Sequence, residues 1–257
     1  MAEALISGLL SSETLLAQDI IATDVDESRL HFISGQYSVA TTTDNLQAVQ
    51  SADYILLAVK PQHINNVVSH LAGAVTADKI VISIAAGTSV STLRALIGPG
   101  APIVRVMPNA PALVNRGMSA ATVPIDLPAP KKKFIDDLLK SAGEVAYVDE
   151  SLIDAVTAVS GSGPAYFFLF VKELAAAGVT AGLTEEMALT LARQTFIGSA
   201  ALMGKTGQNA DDLIRAVASP GGTTEAALEV FASSELRNII AKAVGAALAR
   251  AVEMAKI

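Results

Sequence analysis

YILLAVKPQ, residues 54–62, is the stretch on which the fold turns. Its first six residues are apolar at every position, so they suit a strand covered on both faces rather than one with a face in water. Lys60 and Pro61 then close it, and proline is well placed to open a helix because its ring angle is already set. The same pattern recurs on either side. Apolar, β-branched strands are expected at 20–23, 54–59, 80–84, 103–106 and 145–148, with helical stretches at 43–49, 64–71, 91–96 and 134–141 between them. Strand and helix in alternation predict a parallel sheet with crossover helices.

From residue 151 onward the strand signal stops and alanine and leucine recur at helical spacing to the end of the chain. The run is broken at Gly161 to Gly163, Gly182, Gly204 to Gly207 and Ser219 to Gly222. Two domains are therefore expected, an α/β domain at 1–149 and an all-helical one at 150–257. Ser162-Gly163-Pro164 reads as a helix start. Helices at 183–203 and 236–254 carry alanine and leucine on more than one face and must bury both, which favours an intertwined dimer.

Composition narrows the chemistry. The net charge is −7, with no clustered basic face, which argues against nucleic acid as a partner. Lys131, Lys132 and Lys133 read as a solvated helix face. With no cysteine there is no disulfide and no thiolate, and His31, His63 and His70 lack metal-ligand spacing, so no metal is expected. The apolar stretch 165–171 is closed by Lys172 and Glu173, far short of the ~20 residues that span a bilayer. No membrane helix, no secretory signal and a cytoplasmic location are the expectations.

Four segments carry candidate chemistry. The strand at 20–23 ends at Asp24, where dinucleotide folds place the group that reads the adenosine ribose; an acid there binds a free 2′-hydroxyl and repels a 2′-phosphate, favouring NADH. Residues 24–27 read equally well as an acidic helix start. Ala58-Val59-Lys60-Pro61 and Ala85-Ala86-Gly87-Thr88 follow strands, where open α/β sheets bind ligands, although any strand-to-helix turn looks similar. Asn109 can bond a cofactor or make an Asx turn. Finally, ASPGGTTE at 218–225 leads into a helix; its amides can form an anion-binding nest, or Thr223 or Thr224 can simply cap the helix.

That last segment extends to LIRAVASPGGTTEAAL at 213–228, which resembles the signature of the pyrroline-5-carboxylate reductase family. AVKPQ at 58–62, MPNAPA at 107–112 and GSGPAY at 161–166 agree with the family in order and spacing. The resemblance implies a Rossmann-like N-terminal domain and a C-terminal helical domain that interlocks with its twin in a homodimer, open to further assembly. It implies reduction of 1-pyrroline-5-carboxylate to L-proline, the last step of proline biosynthesis, with NADPH or NADH. By position, Ser219, Gly221, Gly222, Thr223 and Thr224 would cradle the substrate carboxylate, with Thr224 near the imine nitrogen as the catalytic hydroxyl. Ala58, Val59, Lys60, Pro61, Ala85, Ala86 and Asn109 would line the nicotinamide side, and Asp24 the adenosine side. A protonated cyclic imine is already electrophilic, so such a site needs little beyond a hydride donor about 3–3.5 Å away. A threonine hydroxyl is too weak an acid to protonate the imine, so an orienting role is expected for Thr224.

The chain also departs from the family. Relatives begin with a strand and a G-x-G-x-x-M-type loop, and MAEALISGLL matches only the helix that follows, so a truncated or mis-started chain lacking the first strand and pyrophosphate loop is expected. Glu225 stands where relatives commonly carry an apolar residue, GKTGQN at 204–209 differs from the usual stretch, and Asp24-Val25-Asp26 replaces a turn that is polar or arginine-containing in many NADPH-using relatives. Two rivals remain: a non-catalytic helical dimer that has lost dinucleotide binding, and a β-hydroxyacid type dehydrogenase. The second typically needs a lysine on the first interdomain helix, and 151–164 contains none.

Overall fold

The computed structural model describes residues 1–255. Its contacts group Met1–Ser162 with the chain's return from Ala247 into one unit, and Gly163–Ala246 into a second.

In the first unit the elements run α1 (Ala2–Ser11), β1 (Ile21–Thr23), α2 (Glu27–Tyr37), β2 (Ala40–Thr42), α3 (Asn45–Ser51), β3 (Tyr54–Leu57), α4 (Pro61–Leu71), β4 (Ile80–Ser83), α5 (Val90–Ile97), β5 (Ile103–Met107), β6 (Gly117–Thr122), α6 (Ala129–Lys140) and β7 (Gly143–Tyr147). The five expected strands are present, but the all-parallel sheet needs correcting. β3, β4 and β5 are parallel, β6 runs antiparallel to β5, and β7 is parallel to β6. β1 and β2 form a separate parallel pair, so the strands fall into a two-stranded and a five-stranded sheet. β2 and β6 carried no strand signal: β6 reads Gly-Met-Ser-Ala-Ala-Thr, in which only Thr122 has a strong β preference, and sheet position decides its conformation. The helix α2 was equally silent beyond its acidic start.

The five-stranded sheet is covered on both faces, as the apolar strands require. Ile80, Ile82 and Val104 pack with Ile135, Leu138 and Leu139 on one side, while Val81 and Ile103 pack with Ile64, Val68, Leu93 and Ile97 on the other. Each such side chain, taken out of water, contributes about 1.5–3 kcal/mol. The helix α1 joins the two sheets: Leu5 and Leu9 belong to the first cluster, and Ile6 packs with Ile33 and Val39 beside β1 and β2. Glu3 braces it by accepting hydrogen bonds from Arg29 and from the Tyr37 hydroxyl at 3.0 Å. The Arg29 bond holds the Glu3 carboxyl below the usual carboxylate range.

The helical part follows as α7 (Ile153–Val156), a π-helical turn at Thr157–Gly161, α8 (Gly163–Thr180), α9 (Glu185–Thr206), α10 (Ala210–Val217), α11 (Thr223–Ser233) and α12 (Leu236–Met254). α8 starts at Gly163, after Ser162 and with Pro164 in its first turn, as expected. One expectation changes, because α8 follows directly on helical structure that already runs from Glu150. As a result, Glu150–Thr180 is a 31-residue helical run with a mean hydropathy of 1.2 in its most apolar window, long and apolar enough by length and composition to cross a membrane. The apolar run in sequence was short, but the small residues of GSGPA let the helix continue through them. Phe167, Phe168, Leu169 and Phe170 are exposed on α8, as are Leu189, Ile197 and Leu202 on α9 and Ile239 and Ile240 on α12. The apolar faces predicted to be buried are therefore bare in the single chain.

Candidate functional site

The carboxyl ends of β3, β4 and β5 open on a hollow of about 220 Å³ lined by Met1, Ala58, Val59, Lys60, Ile84, Ala86, Met107 and Pro108. The chain turns out of each strand there, and Ala58 and Ala86 leave backbone accessible to a flat ligand. The same hollow reaches Met1, the residue capping α1, whose cap makes no side-chain hydrogen bond. The first amides of a helix lack intrahelical partners and suit a pyrophosphate. Small walls at three strand ends thus leave room for one flat ring of a dinucleotide, beside a helix N-terminus suited to its phosphates.

A larger hollow of about 540 Å³, lined by Leu46, Gln50, His70 and Lys79 among others, lies toward the amino ends of β3 and β4. It is a poor candidate. Open α/β sheets bind at the opposite end, and the Lys79 ammonium is spent on the carbonyls of Gln50 and Ala52 at 3.3 and 2.7 Å.

The residues singled out by sequence do not all face the hollow. Ala58, Val59, Lys60 and Ala86 line it. Ala85 is turned into the core beside Val81 and Leu93, and Pro61 is the first residue of α4. Asn109 is engaged elsewhere: its Oδ1 accepts the Met118 N–H at 2.8 Å, and its Nδ2 donates to the Ser160 carbonyl and hydroxyl at 3.3 Å. Asp24 lies exposed at the end of β1, its carboxylate accepting the Asp26 N–H at 3.1 Å, while Asp26 caps α2 through the amides of Ser28 and Arg29. Strand end and acidic helix start are both present, on neighbouring residues. Sequence reasoning passed over Ile84, Met107 and Pro108, although Met107 and Pro108 stood beside Asn109 in the same quoted motif.

One buried ion group stands behind the hollow. Arg105 on β5 has a side chain only 6% exposed; it meets Glu150 at 3.2 Å and Asp154 at 3.7 Å, and Glu150 also accepts the Val90 N–H at 2.7 Å. β5, the start of α5 and the root of the helical run are tied at one point.

In the second unit, Ser219-Pro220-Gly221-Gly222 is a tight turn. The Gly222 N–H donates to the Ser219 carbonyl at 2.9 Å, and Gly221 sits at φ +70°. Proline followed by a left-handed glycine is the sequence of a type II turn. Gly222 caps α11 with no side-chain bond, so neither Thr223 nor Thr224 caps the helix, and Thr224 is half-buried. The Gly221 N–H is held by a carboxylate, Glu225 Oε2, at 2.6 Å.

Comparison with known proteins adds the decisive observation. The pyrroline-5-carboxylate reductase of Corynebacterium melassecola is 40% identical over 257 residues, covering 99% of this chain and 95% of the relative. The chain belongs to the pyrroline-5-carboxylate reductase family. A family model described as pyrroline-5-carboxylate reductase dimerisation matches residues 150–254, and one described as NADP oxidoreductase, coenzyme F420-dependent, matches residues 1–87. The solved pyrroline-5-carboxylate reductase of Coxiella burnetii superposes with a TM-score of 0.94 at 35% identity, covering 100% of this chain and 95% of the other. That of Plasmodium falciparum, with NADP bound, gives 0.85 at 28%, covering 98% and 93%. The architecture is a Rossmann-like α/β domain followed by a helical dimerisation domain, and the chain is an NAD(P)H-dependent oxidoreductase.

Proposed function

We propose that the protein reduces 1-pyrroline-5-carboxylate to L-proline, with NADH or NADPH seated in the hollow at the ends of β3, β4 and β5. The observation that carries the substrate assignment is the turn at 219–222, whose Gly221 N–H already donates to a carboxylate, that of Glu225. A nicotinamide bound in the hollow supplies the hydride. Ala58, Val59, Lys60 and Ala86 form its walls, with Pro61 and Ala85 behind them and Asn109 fixing the strand end. Ser219, Gly221, Gly222 and Thr223 hold the substrate carboxylate through amides and hydroxyl, and Thr224 orients the ring nitrogen. Asp24 favours a free ribose hydroxyl over a phosphate, and so NADH. Residues 1–149 serve the dinucleotide and 150–257 the substrate and the homodimer, whose interlocked helices cover the bare faces of α8, α9 and α12 in a cytoplasmic enzyme. The test is isotopic: with deuterium at the transferring position of the cofactor, proline gains one deuterium on the carbon of the former C=N bond. Unlabelled proline, or none, overturns the proposal.

Glu225 gives a second test. Its carboxylate occupies an amide assigned to the substrate, and two like charges cannot share it. Glu225→Gln keeps the shape and removes the charge, so KM for pyrroline-5-carboxylate is expected to fall about threefold to tenfold at constant kcat, the scale of the net worth of one ordinary hydrogen bond at an exposed site. An unchanged KM would leave Glu225 as a brace for α11 only.

A further inference from the structure

Gly161, the first residue of the GSGPAY run, has no part in the reading above. It closes the π-helical turn Thr157–Gly161, a geometry frequent at functional sites. A Cβ placed on Gly161 would stand 2.5 Å from Met107 Cε, with its next neighbour, Thr157, at 3.7 Å. Met107 ends β5 and lines the hollow. The backbone on both sides of this contact is independently held. Asn109, two residues past Met107, bonds Ser160, the residue before Gly161, while Arg105 ties β5 to Glu150 and Asp154. Only the flexible methionine tip can yield, and the adjoining open space is the hollow.

We propose that Gly161 is a positioning residue: by lacking a side chain it lets Met107 lie back against the π-turn and keeps the hollow open to the flat ring of a nicotinamide. This rests on the reading of the hollow as the cofactor site. The parent chain, Gly161→Ala, Met107→Ala and the double variant are titrated with NADH and NADPH by cofactor fluorescence, and each is melted. Gly161→Ala is expected to raise Kd about tenfold, the scale of one misplaced methyl-sized group in a pocket. Its melting temperature should hold, since alanine suits a helix better than glycine. The double variant is expected to bind as Met107→Ala does. A Gly161→Ala Kd equal to the parent's, or a loss that Met107→Ala does not relieve, overturns the proposal. A parent that binds neither dinucleotide overturns the reading of the hollow itself.

Discussion

Thr224→Ala is expected to lower kcat roughly tenfold to hundredfold while leaving the melting temperature unchanged. The size is that of one hydrogen bond to a charged partner. The stability half follows from the structure: α11 is capped by Gly222 without a side-chain bond, so removing the Thr224 hydroxyl deletes no cap. A protonated imine needs no further proton before hydride arrives, so the loss should come from orientation, and the pH dependence of kcat should keep its shape. Turnover within twofold of the parent would remove Thr224 from the site. A large fall in melting temperature would instead make it a structural residue.

Gly143→Ala is expected to have the largest effect on stability. Gly143 opens β7 at φ +145°, directly paired with Gly117 of β6. A Cβ there would fall on the Gly117 carbonyl oxygen and stand 2.5 Å from its nitrogen, both backbone atoms that cannot rotate away. The cost is about 4 kcal/mol or more, at the exceptional end for single substitutions. Against a typical total of roughly 5–15 kcal/mol, that removes much of the margin. For a domain of this size the melting temperature should drop by about 8–16 °C. A thermal melt checks it, and a shift of under two degrees would mean that β6 and β7 can separate freely at this point.

Gly143 also marks what the sequence could tell. The strand at its end was legible from Val145 because valine and tyrosine carry a β signal, but its first residue and its whole partner strand were not. β6 is built mostly from glycine, serine and alanine, and Gly117 serves close approach rather than propensity, which appears only once both strands are in place. The central strands were easier: with apolar side chains on both faces they leave helices on each side as the available cover. The long helical run from Glu150 was hidden for the opposite reason, since Gly161, Ser162 and Gly163 look like punctuation, yet Gly161 ends a π-turn braced by the Asn109–Ser160 bond and α8 begins two residues later.

The site was legible in parts. Motif spacing picked out Ala58, Val59, Lys60 and Ala86, which line the hollow, because strand ends are where such sheets bind. It could not tell that Ala85 faces inward, or that Asn109 is held by Ser160 and Met118, since those depend on partners about ten and fifty positions away. The turn at Ser219 was read as an anion nest from its glycines. That a carboxylate of the same chain, Glu225, would reach back to it needed coordinates, although the acid itself stood out as a departure from the family pattern.

The most direct test is oxidation of NADH and of NADPH by the purified chain, with and without 1-pyrroline-5-carboxylate. Oxidation that requires the substrate and yields one proline per cofactor, faster with NADH, is the expected result. A folded dimer that oxidises neither cofactor, with substrate in excess, would contradict the assignment and leave a helical dimer without catalysis.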